Sequence, residues 1–329
     1  MNVVETHSEL QTERFYYGSQ QYYLKKYLGF DKTRISEVDK SIALLLTNSH
    51  YSFHGIKPKT PAIIEIGGIN IKNDSSELNL SLRKILDEST SGFIYVSFGT
   101  LTLVETLPMK FLNQLFTTFC KITPIRVIMK LSSIDFLRKN LCDNVFVYDW
   151  LPQQKLLEHS NIKAFVTHGG GLSSQETIHY AVPVICIPIF ADQNFNCDIF
   201  VSKNMGVKID IKTAQSKDYD DAFQEILSNS QYKNSMKKFS HLYWDRPQSP
   251  REAVNYWVEY VIRHGKNVLR SPALDLEWWQ FELIDVYCLL FLCTLLVAFF
   301  LILIIGYTFK LLIQLLSSSN KITSSKKVD

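Results

Sequence analysis

The chain has almost no net charge. Its 329 residues sum to +3, too little to hold a polyanion, so nucleic acid is not expected as a partner. Metal ligation has no obvious vehicle. Six cysteines are present, with neither the paired spacing of a zinc site nor a disulfide framework. Cys288 and Cys293 lie inside a long apolar run. Cys120, Cys142, Cys186 and Cys197 are expected to be buried free thiols. No internal repeat is visible, and only the Ser/Lys tail is of low complexity. The N-terminus is polar and acidic, with no apolar run of the signal-peptide kind.

Hydrophobic residues make up 46% of the chain, which allows one to two domains and a sizeable core. Residues 286–309 carry no charge, and about 20 apolar residues suffice to cross a bilayer. Trp278 and Trp279 precede this run, where interfacial aromatics belong. The tail beyond it holds Lys310, Lys321, Lys326 and Lys327 against Asp329. Positive residues favour the cytosolic side, so the large domain is expected to be lumenal or extracellular. Either the membrane segment directs its own insertion, or the sequence belongs to a longer protein.

The most informative segment is 150–176, WLPQQKLLEHSNIKAFVTHGGGLSSQE, followed by PIFADQ at 188–193. Residues 164–167 are short, apolar and β-prone. Gly169, Gly170 and Gly171 let the backbone turn and approach a ligand closely. A helix is expected over 173–180, its N-terminal N–H groups suited to a diphosphate. A buried strand at 184–187 and a helix over 194–204 follow, with Gly206 expected as the C′ residue. This is a βαβ unit with polar groups beyond the carboxyl ends of its strands, where open α/β sheets bind ligands.

The rest reads as α/β sequence. Strands are expected at 41–47, 91–100 with its turn, 126–130 and 145–148. Helices are expected at 108–122, 222–227 and 248–264. Residues 67–81 look like a linker, and Asn73 and Asn79 open glycosylation sequons within it.

These residues together resemble the C-terminal half of an animal UDP-glycosyltransferase, a membrane-bound family related to the UDP-glucuronosyltransferases, with wording closest to invertebrate members. The resemblance centres on 150–193. It extends from the Gly67-Gly68 junction through 256–264, the membrane run and Lys326-Lys327, which resemble a dilysine retrieval signal. It implies a GT-B fold: residues 1–66 as the end of an acceptor domain mostly absent here, 67–81 as linker, and 82–265 as a Rossmann-like donor domain with a parallel sheet. Residues 266–285 would be juxtamembrane, 286–309 a transmembrane helix, and 310–329 a cytosolic tail in an endoplasmic-reticulum protein.

The resemblance assigns donor contacts. Trp150 would stack on uracil, and Gln153 would bond uracil or ribose; a core indole and a helix start after Pro152 are the plainer alternatives. His168 would bind a phosphate oxygen. Gly170, Leu172, Ser173 and Thr100 would offer backbone N–H groups and hydroxyls to the diphosphate. Glu176 would accept from ribose hydroxyls, although Ser173 and Glu176 equally fit a capping box. Asp192 and Gln193 would hold the sugar. Gly171 and Leu172 stand at a loop position often polar in relatives, so no side-chain contact is expected there.

No catalytic residue is carried over. The family's catalytic His and its Asp lie in the domain mostly absent here, and His7, His50 and His54 match no such context. The implied reaction is inverting transfer of a hexose from a UDP-sugar, with UDP-glucose favoured and UDP-glucuronate the alternative, to a hydroxyl of a lipophilic small molecule. The UDP-sugar is a co-substrate, and no metal or other cofactor is implied. Two other readings remain: a non-catalytic membrane partner that dimerises with full-length relatives, and a dinucleotide oxidoreductase, because Gly169-x-Gly171-x-x-Ser174 with Asp192 loosely fits the Rossmann fingerprint.

Overall fold

The chain is described by a computed structural model over residues 20–29, 41–71, 78–131 and 141–325. Asn73, Lys326, Lys327 and His7 lie outside the described residues. Two compact units are distinguished: Ser41–Leu269, and Met1–Lys40 together with Arg270–Asp329.

The larger unit opens with β1 (Leu45–Thr47), the one-turn helix α1 (Tyr51–His54) and β2 (Ile63–Glu65). The two strands pair in parallel, Leu46 opposite Ile64. Next come α2 (Leu80–Asp87), β3 (Phe93–Ser97), α3 (Met109–Lys121), β4 (Arg126–Lys130), β5 (Val145–Tyr148), α4 (Gln153–Glu158) and β6 (Ile162–Thr167). They are followed by α5 (Gly171–His179), β7 (Val184–Cys186), α6 (Gln193–Ser202), β8 (Gly206–Lys208), α7 (Ser216–Ser228), α8 (Gln231–Trp244) and α9 (Pro250–His264).

Strands β3 to β8 form one six-stranded sheet in the order β5-β4-β3-β6-β7-β8, with every pairing parallel. This is the doubly wound order, and its strand order reverses between β3 and β6. Both faces are covered, as an all-parallel sheet requires. Along β3, Ile94 and Val96 face a cluster with Phe111, Leu115 and Phe119 of α3 and Phe223 of α7. The alternate residues, Phe93 and Tyr95, face Leu82 and Leu86 of α2 and Leu156 of α4. A two-residue period thus buries the strand twice over, which is why it reads as a continuous apolar run. A third cluster joins Phe53 of α1 to Phe200 of α6 and to Met236 and Tyr243 of α8.

Several expectations need correction. The helix expected at 222–227 spans Ser216–Ser228. Helix α8 was not expected at all, because Lys, Asn and Ser interrupt its apolar face. Gly206 is not a C′ residue. Asn204 takes the left-handed conformation after α6, with φ 52, and Asn tolerates it. Gly206 instead opens β8, where a Cβ would come within 2.4 Å of the Val184 carbonyl oxygen.

The four cysteines of this unit are not free thiols. Cys120 pairs with Cys142 and Cys186 with Cys197. Linear spacing hid both pairs. The end of α3 meets the approach to β5, and the end of β7 meets α6, so each pair is 5.6 Å apart at Cα, within bonding reach.

Asn79 is exposed and caps α2, its Oδ1 accepting from the Ser81 N–H at 2.9 Å and the Ser81 hydroxyl at 2.8 Å.

In the other unit, residues 20–28 are helical. Helix α10 (Trp278–Phe281) precedes α11 (Ile284–Ser325). Its stretch Ile284–Gln314 is long and apolar enough to cross a membrane, with none of its most apolar window buried. It extends beyond the 286–309 expected, because helix continues past the apolar run.

Candidate functional site

A cleft of ≈ 810 Å³ opens at the carboxyl ends of the strands, where the sheet order reverses. That volume suits a small ligand. Thr100, Trp150, Gln153, His168, Gly170, Leu172, Ser173, Glu176, Asp192 and Gln193 all line it. The end of β4 and the segments that follow β3, β5, β6 and β7 each supply part of the wall.

His168 follows β6 directly and stands between two glycines. A Cβ on Gly99 would come 2.9 Å from its Cε1, and one on Gly170 would come 2.5 Å from its Nε2. Gly99 and Gly169 have φ of 83° and 81°, conformations that side chains rarely adopt. Burial holds the His168 imidazole down at about 4, against a smaller upward pull from Asp192. The ring is therefore neutral near pH 7, able to donate one hydrogen bond but not a charge. Its Nδ1 has no hydrogen-bond partner among the described residues.

Gly170 is the N-cap of α5, so Gly171, Leu172 and Ser173 occupy the first turn. Their N–H groups have no intrahelical acceptor. Ser173 is thus the third helical residue rather than a cap, and the capping box with Glu176 does not form.

Glu176 is 8% exposed and is engaged by three side-chain amides. Gln153 Nε2 reaches its Oε2 at 2.5 Å. Gln154 Nε2 and Asn70 Nδ2 each reach its Oε1 at 2.9 Å. Gln153 also donates to the Ser173 hydroxyl at 3.1 Å and accepts from the Tyr95 hydroxyl at 3.3 Å. It is at the same time the first residue of α4, after Pro152.

Trp150 is not a core residue: its indole is 65% exposed at the cleft. Lys130, at the end of β4, sits 4.5 Å from the ring centroid and donates to the Gly99 carbonyl at 3.1 Å. Burial lowers the Lys130 pKa.

The loop between β7 and α6 is held by its own side chains. Gln193 Oε1 accepts from the Ile189 and Phe190 N–H groups at 2.8 and 2.9 Å. Asn196 Nδ2 donates to Asp192 Oδ2 and to the Gly169 carbonyl, both at 2.9 Å, tying the acid to the glycine turn. The Cys186–Cys197 pair lies beneath, where a Cβ on Gly169 would come 2.6 Å from the Cys197 sulfur.

Sequence reasoning missed Asn70, Lys130, Gln154 and Asn196. Asn70 and Lys130 lie far from the 150–193 segment in sequence. Gln154 and Asn196 lie within it, but each is one polar residue among several. Leu172 is exposed at 53%, matching its position in the first turn. His50 and His54 do not line the cleft. Among the described residues no His/Cys/Asp/Glu group suited to a metal occurs.

Residues 5–318 match the family model described as UDP-glucoronosyl and UDP-glucosyl transferase. The chain is 34% identical to UDP-glucosyltransferase 2 of Dactylopius coccus over 95% of its own length and 60% of that protein. It is 29% identical to UDP-glucuronosyltransferase 2B15 of Homo sapiens, over 81% of its length and 50% of that protein. It therefore spans between half and three fifths of these relatives. The structure of the glycotransferase of kitacinnamycin superposes with a TM-score of 0.57 and 19% identity over 78% of this chain and 65% of the other. That likeness concerns the fold, the GT-B arrangement. With a doubly wound sheet, a cleft where its order reverses and a family match along nearly its whole length, the chain belongs to the UDP-glucuronosyl and UDP-glucosyl transferase family.

Proposed function

We infer that this chain carries the donor half of a membrane-anchored UDP-glycosyltransferase, which moves a hexose from a UDP-sugar to a hydroxyl of a lipophilic small molecule. The observation that carries the reading is the gathering of an exposed indole, a neutral imidazole, a helix N-terminus and two carboxylates around one cleft. Trp150 offers a face for uracil, Glu176 for ribose, and the first turn of α5 with His168 and Thr100 for the diphosphate. Asp192 and Gln193 face the sugar. UDP-glucose is favoured over UDP-glucuronate, in keeping with the higher identity to the glucosyltransferase.

In the reaction the acceptor oxygen attacks the anomeric carbon as the bond to the β-phosphate breaks. UDP leaves with the bonding electrons and the configuration inverts. The hydroxyl proton goes to a base, worth about 10²–10⁴-fold, which a part of the enzyme other than this cleft would supply. This cleft stabilises the leaving group. Its fixed dipoles, aimed at charge that grows as UDP departs, act without reorganising. The family match sets aside the dinucleotide reading.

The apolar stretch of α11 is compatible with a membrane anchor. We place the main domain on the lumenal side of the endoplasmic reticulum, with the lysine-bearing tail cytosolic and Asn73 and Asn79 as glycan acceptors.

Titration of the chain with UDP, paired with a transfer assay using UDP-glucose and a phenolic acceptor, tests the reading. Saturable UDP binding with little or no transfer supports it. Robust transfer by the chain alone would overturn the placement of the base.

A further inference from the structure

Phe190 lines the cleft with a large apolar side chain that the fold leaves 48% exposed. A single exposed apolar residue is ordinary on a protein surface. This one differs in how it is held. Its N–H donates to Gln193 Oε1 at 2.9 Å, and its carbonyl accepts from the Gln193 N–H at 3.3 Å. Ala191, the next residue, has φ 55°, a left-handed conformation uncommon outside glycine and asparagine and costly to keep. Gln193 is buried, and the Cys186–Cys197 pair ties the two flanks of the turn together. The turn is built rigidly, yet the ring it carries is open to the cleft.

Strand order places that ring. From β5 to β7 the sheet runs β5-β4-β3-β6-β7, and the cleft wall follows the same order: Trp150, Lys130, Thr100, His168, Phe190. Four steps of about 4.8 Å make about 19 Å, room for a base, a ribose, a diphosphate and a hexose end to end. With uracil on Trp150 and the diphosphate at His168 and the start of α5, the hexose falls at the β7 end. Asp192 stands there too. Its carboxylate is exposed, and a Cβ on Gly171 would lie 3.7 Å from its Oδ2.

A hexose presents two kinds of surface. The hydroxyls at its edge need acceptors, which a carboxylate supplies through charge-assisted bonds. The faces of its ring carry C–H groups, apolar and slightly positive, which the negative face of an aromatic ring attracts. Asp192 answers the first need and Phe190 the second, two residues apart on one rigid turn. Uracil already has the Trp150 indole, and a diphosphate needs N–H donors rather than a ring.

We propose that Phe190 is a sugar-binding, specificity-determining residue: the face of its ring supports the C–H face of the donor hexose while Asp192 accepts from the hexose hydroxyls. This rests on the nucleotide-sugar reading of the cleft. The platform touches the hexose alone, so it adds to the affinity for a UDP-sugar and not to that for UDP. Replacing the ring breaks neither bond to Gln193, because both use the Phe190 backbone. The turn that presents Asp192 therefore stays in place when the platform is removed.

The test measures binding of UDP and of UDP-glucose to the full chain, to Phe190→Ala and to Phe190→Tyr, with circular dichroism as the check on folding. Phe190→Ala should weaken UDP-glucose about five- to tenfold and leave UDP within about twofold, as expected for one lost aromatic contact. Phe190→Tyr keeps the ring and should hold both ligands within about twofold of the unaltered chain. Should Phe190→Ala fail to fold, Phe190→Leu, which keeps apolar bulk but loses the flat face, carries the same comparison. Equal weakening of both ligands would mean a structural role only, and unchanged binding of both would mean no part in holding the sugar; either overturns the proposal. So would a loss in Phe190→Tyr as large as in Phe190→Ala. If the unaltered chain binds no UDP, the nucleotide assignment of the whole cleft fails, and this one with it. If it binds UDP and Phe190→Ala keeps the unaltered ratio of UDP-glucose to UDP affinity, only Phe190 is wrong.

Discussion

A methyl group on Gly170 would lie 2.5 Å from Nε2 of His168. The glycine is therefore needed for space rather than for an unusual backbone, since its φ of −62° is open to any residue. Gly170→Ala is expected to push the imidazole aside and weaken UDP at least about tenfold, or about 1.4 kcal/mol, while the thermal midpoint barely moves. Calorimetric titration beside a melting curve checks this. A variant that melts early instead would assign Gly170 to folding.

Gly169 makes the contrasting case. It has φ 81°, and a Cβ there would press on the Cys197 sulfur at 2.6 Å. Gly169→Ala is expected to lower stability by about 1–3 kcal/mol from backbone strain alone, seen as a shift in denaturant midpoint without ligand.

Four imidazoles make the fold acid-sensitive. Burial, helped by Arg246, holds His50 at about 4 in the folded chain, against 6.5 for a free imidazole. His168 is held at about 4 by burial, and burial also lowers His54 and His179. Between these values the unfolded chain binds more protons than the folded one, so stability rises with pH across the window. It is complete above about pH 6.5 and is lost as the pH falls toward about 4. His50→Asn, which keeps a cap acceptor for α1, should flatten the acid side of a plot of stability against pH. An unchanged slope would contradict the assignment of His50.

Both cysteine pairs close short loops, of sequence separation 22 and 11. Reduction is expected to cost about 3 kcal/mol for each. Peptide mapping without reductant should recover Cys186 linked to Cys197. Replacing that pair by alanines should also weaken UDP, because the sulfurs support the Gly169 turn.

Much of this site was legible from sequence because its chemistry is local. Trp150, Gln153, His168, Ser173 and Glu176 fall within the single segment 150–176, where the alternation of apolar runs and glycines marks strand, turn and helix start. The core strands β3 to β7 were legible for the same reason, whereas β8, only Gly206–Lys208, was not. What escaped depends on distant packing. The cysteine pairs arise only when helix ends meet strand ends. Asn204 took the left-handed position expected of Gly206, because α6 ends earlier than its apolar pattern. Asn70 reaches Glu176 across 106 positions of sequence, and no spacing rule connects them. Lys130 ends a strand and looks like any strand-terminal lysine until β5 brings Trp150 beside it.

The stacking role of Trp150 is the most direct test of the central claim. Its indole is exposed at the cleft mouth, and loss of a base–aromatic stack is worth about 1–3 kcal/mol. Calorimetric titration of UDP into the full chain and into Trp150→Ala decides the matter. The account predicts saturable single-site binding that weakens by about ten- to a hundredfold in the variant. Absence of UDP binding in the unaltered chain, or equal affinity in the two, would contradict it.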